Sequence, residues 1–335
     1  MNALVEARGV TKHFPLGRGR TVHAVDDVSL TIAAQEIVGL VGESGSGKST
    51  FGKTLVGLHD KTAGDVYLEG KKLPRRYTSA DFRRHARRMQ MIFQDPYSSL
   101  NPRMTVGEII GEGSRLHGSR SGATAREEVG GWLERVGLDR GHAARYPHEL
   151  SGGQRQRVGI ARALVLEPTF VVCDEPISAL DVSVQAQIVR LLGEIKAELG
   201  LTLLFIAHDL SMVRYVSDRM AVMYLGSLVE VGRADDVYFR PLHPYTKILV
   251  ASNPEPDPRS EREHATIPTA GEIPSPVNIR AGCRFASRCP EVMDVCRTVT
   301  PELRATTDGS HERSVACHLY EPAGRPISVP PAVSG

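Results

Sequence analysis

No stretch of this 335-residue chain approaches the length of a membrane span. Its longest uninterrupted apolar runs, such as Leu203 to Ala207, fall far short of the roughly 20 residues a helix needs to cross a bilayer. Also lacking at Met1 is a basic start followed by an apolar run, so no secretion signal is expected. A surplus of one charge is missing too: 41 Lys and Arg stand against 39 Asp and Glu, for a net charge of +2. That balance excludes a general attraction to nucleic acid or to anionic lipid. The strongest local exception is Arg75, Arg76, Arg83, Arg84, Arg87 and Arg88. Against the chain's balanced charge, the cluster reads as a solvated helix face. These absences predict a cytosolic protein that partners hold at a membrane. Cysteine is scarce, with five in all. In a reducing compartment, grouped cysteines point to metal or cluster ligation ahead of disulfides.

What is present is globular, with 41% hydrophobic and 24% charged residues. The length suffices for one large α/β domain and an extension. The most informative segment follows the apolar run Ile37 to Val41 and reads Gly42, Glu43, Ser44, Gly45, Ser46, Gly47, Lys48, Ser49, Thr50. A buried strand, a glycine loop free of Cβ clashes and a helix N-terminus present N–H groups to phosphates. Lys48 is expected at the β- and γ-phosphates of a nucleoside triphosphate, and Ser49 on Mg²⁺.

Up to about residue 240, short β-branched runs alternate with helical stretches, which predicts a mainly parallel sheet with crossover helices. Candidate strands are Leu4–Val10, Val22–Leu30, Ile37–Val41, Val66–Glu69, Met89–Phe93, Phe170–Cys173, Leu201–Ile206, Met220–Tyr224 and Ser227–Val231. The first two, Val66–Glu69 and the last two are expected to form an antiparallel layer beside the nucleotide. From about 95 to 157 strands are scarce, and Val106 to Ile110 and Ala125 to Val136 have helical spacing, which predicts an inserted helical subdomain. Beyond 240 come 14 of the 21 prolines and four of the five cysteines. An irregular extension over 241–320 and a disordered tail over 321–335 are therefore expected.

Phe170 to Cys173 lead into Asp174 and Glu175, which places both carboxylates at the carboxyl edge of a buried parallel strand. There Asp174 suits the Mg²⁺ shell and Glu175 the polarising of an attacking water. Alone, such a pair is equally a pair of solvated loop charges; downstream of a phosphate loop the balance reverses. Leu150, Ser151, Gly152, Gly153 and Gln154 open a further helix, a second anion-binding end or a plain serine cap. Two such ends with one lysine-bearing loop suggest that one chain completes another's site.

Taken in order, these motifs resemble the ATP-binding cassette ATPases, the motor subunits of ABC transporters, over residues 1 to about 240. The resemblance implies an α/β P-loop ATPase with a RecA-like core, an antiparallel β subdomain and a helical subdomain. It makes Gly42 to Ser49 the Walker A loop, with Gly42, Ser44, Gly45, Gly47, Lys48, Ser49 and Thr50 around the ATP phosphates. Gln94 becomes the loop glutamine on Mg²⁺, joining Ser49 and Asp174, and Glu175 the catalytic glutamate. Ser151, Gly152, Gly153 and Gln154 match the family signature, and Ser178, Ala179, Leu180 and Asp181 the loop at the dimer seam. His208 matches the switch histidine, and Phe14 is the aromatic expected on adenine. The implied partners are two transmembrane permease subunits, a sister ATPase or second copy, and indirectly an extracytoplasmic solute-binding protein; nucleic acid is not among them. The implied location is peripheral, on the cytoplasmic face of the inner membrane.

Gln94 to Arg103 is similar to the Gln-Asp-Pro-Tyr-Ser-Ser-Leu-Asn-Pro form of peptide and nickel importer ATPases, and Pro241 to Thr246 to the start of the oligopeptide-importer extension. As bare sequence both are also ordinary turn chemistry. Cys283, Cys289, Cys296 and Cys317 are spaced C-x5-C-x6-C-x20-C, unlike the close pairs of zinc knuckles. Four thiols in a proline-broken segment suggest a stabilising metal. By resemblance this is a [4Fe–4S] cluster, with zinc or free thiols as alternatives. Cys173 reads as a small core residue. The expected function is ATP-driven import of peptides, or of nickel, glutathione or another peptide-like solute. The rivals are a soluble cassette ATPase acting on DNA or ribosomes, and an iron–sulfur redox protein.

Overall fold

The alternation of apolar runs becomes alternating strands and helices in a computed structural model that describes residues 3–118, 122–178, 180–252, 274–279, 281–307 and 312–320. The strands are β1 (Ala3–Gly17), β2 (Arg20–Ala33), β3 (Ile37–Val41), β4 (Ala63–Leu68), β5 (Lys71–Lys72) and β6 (Met89–Ile92), then β7 (Phe170–Asp174), β8 (Thr202–Ile206), β9 (Arg219–Tyr224), β10 (Ser227–Arg233), β11 (Arg304–Thr307) and β12 (Glu312–Val315). The helices are α1 (Lys48–Leu55), α2 (Ser79–Ala86), α3 (Pro96–Ser99), α4 (Val106–Leu116) and α5 (Ala123–Arg135), then α6 (Gly152–Leu164), α7 (Val182–Leu199), α8 (Leu210–Val216), α9 (Ala234–Phe239) and α10 (Pro244–Ala251). Two compact units form, one from the described residues of 1–10, 30–37 and 49–207, the other from those of 11–29, 38–48 and 208–335.

In the first unit β6, β7 and β8 are parallel, with Met89 opposite Phe170 and Phe170 opposite Thr202. Every residue of β7 and β8 is buried. Such runs without polar alternation belong to strands covered on both faces. Phe51 and Leu55 of α1 are buried with them. The stretch expected to be helical carries α3 to α6. α4 starts in a capping box of Thr105 and Glu108, which satisfies two otherwise orphaned donors. It packs on α5 and α6, burying Ile109, Ile110, Trp132, Leu133 and Val158. α2, which holds Arg83 and Arg84, has no buried residue, as expected of a solvated face.

β1, β2, β4 and β5 make a four-stranded sheet in the order β2-β1-β4-β5. The expectation that Met220–Tyr224 and Ser227–Val231 join this layer is overturned. In the second unit β9 pairs in parallel with β3, Val41 facing Val222, and antiparallel with β10, Tyr224 facing Ser227. The physical reason is composition: Met220, Ala221, Val222, Met223 and Tyr224 are all buried, the pattern of a two-sided core strand and not of a half-exposed layer.

The extension is less irregular than its prolines suggest, because β11 and β12 form an antiparallel pair and β12 pairs with β10. A buried charge network anchors it. Glu230 of β10 and Arg313 of β12 are both fully buried and meet at 2.7 Å. The same carboxylate accepts from the N–H groups of Leu242 and His243, each at 2.9 Å, and Arg313 also donates to the Arg240 carbonyl at 2.6 Å. Removing one partner of a buried ion pair strands the other charge away from water. Arg313→Met is therefore expected to cost about 3–5 kcal/mol, read as a lowered urea midpoint; an unchanged midpoint would contradict the anchoring role.

Candidate functional site

The glycine loop leaves β3 at Gly42 and enters α1 at Lys48. Two positions admit no side chain. Gly42 has φ +152°, and a Cβ there would lie 2.2 Å from the Met223 carbonyl oxygen; Gly47 has φ +105°, with the Ala24 carbonyl oxygen at 2.0 Å. The Gly226 N–H, at the β9–β10 turn, donates to the Ser46 carbonyl at 2.8 Å. Held this way, the loop curls around Lys48, which is 4% exposed. The Lys48 ammonium donates to the carbonyls of Gly42 at 2.8 Å and Glu43 at 3.0 Å. Ser44 and Gly45 form the exposed crest.

In the first unit, the carboxyl ends of the parallel strands gather Ser49, Gln94, Asp174 and Glu175. Ser49 Oγ donates to Asp174 Oδ1 at 2.6 Å, and Asp174 is 2% exposed at the end of β7. Gln94 Nε2, just past β6, donates to Glu175 Oε2 at 2.7 Å. Glu175 has φ +43°, a left-handed conformation costing about 1 kcal/mol in a residue with a Cβ. Its N–H donates to the Ile206 carbonyl at 2.9 Å. Strain of this kind concentrates where a side chain must be aimed. Thr50, in the first turn of α1, accepts through its carbonyl from Thr54 Oγ1 at 2.7 Å. The hydroxyl and carboxylate of Ser49 and Asp174 are hard oxygen donors suited to Mg²⁺.

Ser151 caps α6 in a reciprocal box, accepting from the Gln154 N–H at 3.3 Å while its own N–H donates to Gln154 Oε1 at 3.0 Å. Gly152 and Gly153 form the first turn of α6, and a Cβ on Gly153 would meet Val184 Cγ1 at 2.9 Å. Asp181 is the exposed residue heading α7. In the second unit, His208 is exposed just before α8, and Phe14 of β1 is half-buried with the Lys12 ammonium 4.7 Å from its ring centre. Ala179 and the tail 321–335 lie outside the described residues.

In the extension Cys296 is buried and Cys283, Cys289 and Cys317 are half-buried, and among the described residues no three of these thiols lie within 4.8 Å of one another. The Cys283 N–H donates to the Cys296 carbonyl at 2.7 Å. Burial pushes the Cys289 thiol up to about 11 and the Cys317 thiol to about 12, against backbone N–H groups of Glu291 and Leu319 that act the other way. Cys173 is fully buried in β7, where burial raises its thiol to about 12.

Some groups carried no local signal. His13, His23 and Asp26 bring ligand atoms within 4.8 Å of one another. The Arg284 guanidinium donates to the same carboxylate, however, so this is an ion-pair network in place of a cation site. Although burial pushes Asp26 up, Arg284 and the two histidines outweigh it and hold the carboxyl below its usual range. Glu43, Tyr245 and Arg288 also meet, at the glycine loop itself. The only sequence hint was a pair of arginines between Cys283 and Cys289.

Comparison with known proteins agrees with this geometry. Residues 25–178 match the family described as ABC transporter, and residues 229–296 the oligopeptide/dipeptide transporter C-terminal region. YkfD of Bacillus subtilis (strain 168) is 53% identical over 321 residues, 96% of each chain. The oligopeptide transport ATP-binding protein OppF of Salmonella typhimurium is 48% identical over 96% of this chain and all of its own. Among solved structures, the ATP-binding cassette MJ0796, a dimer in a post-hydrolysis state with ADP and Pi, superposes with a TM-score of 0.64 at 30% identity, covering 69% of this chain and 98% of that one. CbiO1 of Clostridium perfringens gives 0.62 at 26% identity, over 72% and 92%. On these matches the chain belongs to the ATP-binding subunits of ABC transporters, in the branch that carries the oligopeptide/dipeptide C-terminal region.

Proposed function

We propose that this chain is the ATP-hydrolysing motor of a bacterial peptide importer. The observation that carries the reading is the pairing of Ser49 with Asp174 and of Gln94 with Glu175, one residue beyond a lysine wrapped by a glycine loop. Lys48 and the loop N–H groups hold the β- and γ-phosphates, and Phe14 packs on adenine. Ser49, Asp174 and Gln94 hold Mg²⁺, which neutralises phosphate charge when bound. Glu175 takes the proton of the attacking water, and His208 holds the γ-phosphate side.

Ser151, Gly152, Gly153, Gln154 and Asp181 serve the nucleotide of an opposing cassette, either a second copy or a sister ATPase. Binding energy that differs between closed and open pairs then drives the cycle. The dimeric MJ0796 cassette supports this arrangement. Peptides as the solute rest on the oligopeptide/dipeptide C-terminal region and on the name of OppF. The working division falls near residue 240, between the cassette with its helical subdomain and the extension.

Among the described residues no helix is long and apolar enough to cross a membrane, so motion passes to separate subunits. We place one permease subunit on each cassette of the pair, at an apolar groove of about 340 Å³ in the first unit, lined by Leu58, Tyr77, Phe82, Phe93, Leu116 and Arg162. Leu58 and Leu116 are 45% and 68% exposed there. Phe93 immediately precedes Gln94, giving an occupant of the groove a direct mechanical route to Glu175. The chain then works at the cytoplasmic face of the membrane, and a solute-binding protein acts on it through the permeases.

For the cysteines we propose a [4Fe–4S] cluster, with zinc as the alternative. A single zinc ion holds thiolates about 3.8 Å apart, from Zn–S bonds near 2.3 Å. A four-iron cube spreads its ligands more widely, and bound there it would cross-link a segment with little core of its own.

Glu175→Gln is expected to retain ATP binding, lower turnover at least about 100-fold and elute as a dimer with ATP on gel filtration; turnover at the wild-type rate would remove Glu175 as the base. Anaerobically purified wild type is expected to carry iron and sulfide with broad visible absorption, and Cys289→Ala to lose them. A colourless protein holding stoichiometric zinc would overturn the cluster.

A further inference from the structure

Sequence motifs assign the glycine loop to phosphate and the cysteine segment to a metal, and leave them unrelated. The side chains of the second unit join them. Arg288, one residue before Cys289, sends two nitrogens to the two carboxylate oxygens of Glu43, at 2.8 and 3.0 Å. Glu43 is the second residue of the glycine loop. Its backbone N–H donates to the Tyr245 hydroxyl at 2.8 Å, and its carbonyl accepts from Lys48 at 3.0 Å. One residue of the loop is thus held at side chain and backbone by the extension, while its remaining polar group meets the lysine.

This clamp has the marks of a built contact. The Arg288 side chain is 7% exposed, and a paired, fork-on-carboxylate guanidinium at such a depth is oriented strongly. Aromatic rings enclose it: the guanidinium carbon lies 5.8 Å from the Tyr224 ring centre and 5.7 Å from that of Phe285. Tyr224, Tyr245 and Phe285 pack on one another with centres 4.6 to 5.5 Å apart. Tyr245 is fully buried. His243, also fully buried, fixes it by accepting the Tyr245 N–H at Nδ1, 3.0 Å away.

We propose that Arg288 and Tyr245 are positioning residues for the nucleotide: the extension pre-sets the glycine loop through Glu43, so that the Arg288–Glu43 clamp sets ATP affinity. The inference rests on reading residues 42–49 as the phosphate loop. A loop already held in its binding shape loses less conformational freedom when phosphate arrives, which raises affinity without touching the bond-breaking step. Because Arg284 and Arg288 both lie between Cys283 and Cys289, whatever alters the cysteine segment is felt as a change in ATP affinity.

The test is steady-state ATPase kinetics and calorimetric ATP·Mg²⁺ binding on the full chain, for Arg288→Met, Glu43→Gln and the double variant, with Lys48→Ala as reference. Each single variant is expected to raise KM and Kd for ATP about tenfold, the double variant no further, since one shared interaction is lost in all three. The turnover number is expected to stay within about twofold of wild type, and Arg288→Lys to recover part of the affinity. Glu43→Gln leaves the aromatic packing of the extension intact, so the result stands even where Arg288→Met loosens the fold. Unchanged KM in Glu43→Gln, or losses that add in the double variant, would overturn the clamp while leaving the loop in place. Wild-type ATP affinity in Lys48→Ala would instead overturn the loop reading itself.

Discussion

A serine hydroxyl in the first turn of one helix meets a buried carboxylate at the end of a strand 125 residues later, and the rest of the site is arranged around that contact. Asp174 is almost wholly withdrawn from water, and an ionised carboxylate at that depth requires donors or a cation. Ser49 supplies one such donor. To bring it there, β7 has to run parallel to its neighbours, and α1 has to start close to the strand ends. The chain reaches that helix through a loop too tight for side chains at Gly42 and Gly47. Lys48 is therefore buried one residue before Ser49, with its ammonium on loop carbonyls. The Ser49–Asp174 contact and the fold are the same constraint seen from two ends.

Much of this was legible in the sequence because the signals are local. Ile37 to Val41, Phe170 to Cys173 and Leu201 to Ile206 are unbroken apolar runs that only buried parallel strands accommodate. Ser151 followed by Gln154 is a helix start by its own hydrogen-bond chemistry. Where the reading went wrong, the missing information was long-range. Nothing within Met220 to Tyr224 says whether its partner is β3 or the strands of the first sheet; its full burial decides that, and burial depends on neighbours. The prolines of the extension hid β11 and β12, because a four-residue strand pairing with a distant β10 leaves little periodic trace. Glu230 and Arg313, or Glu43 and Arg288, are ordinary charged residues until the fold brings them together across 83 and 245 positions.

Those two pairs change the standing of the extension. Structures of isolated cassettes cover 69% of this chain and nearly all of themselves, so the extension is added to a fold that works without it. It is nonetheless not a loose appendage. Glu230 gathers the start of the extension and β12 in one buried network, Arg284 joins Asp26, and Arg288 reaches the phosphate loop. Each link is a charged group taken from water and met by a specific partner. The cysteine segment carries two of these arginines between its first two thiols, which makes it a natural place for a cross-link that holds them in register.

We propose that Ser49 and Asp174 together form the seat through which magnesium strengthens the binding of ATP. Calorimetric titration of ATP into wild type and Asp174→Asn, with and without Mg²⁺, tests it most directly. The account predicts that Mg²⁺ tightens binding to wild type and loses that effect in the variant, while binding of the metal-free nucleotide, held by Lys48 and the loop, persists in both. The same magnesium dependence in both proteins would contradict it.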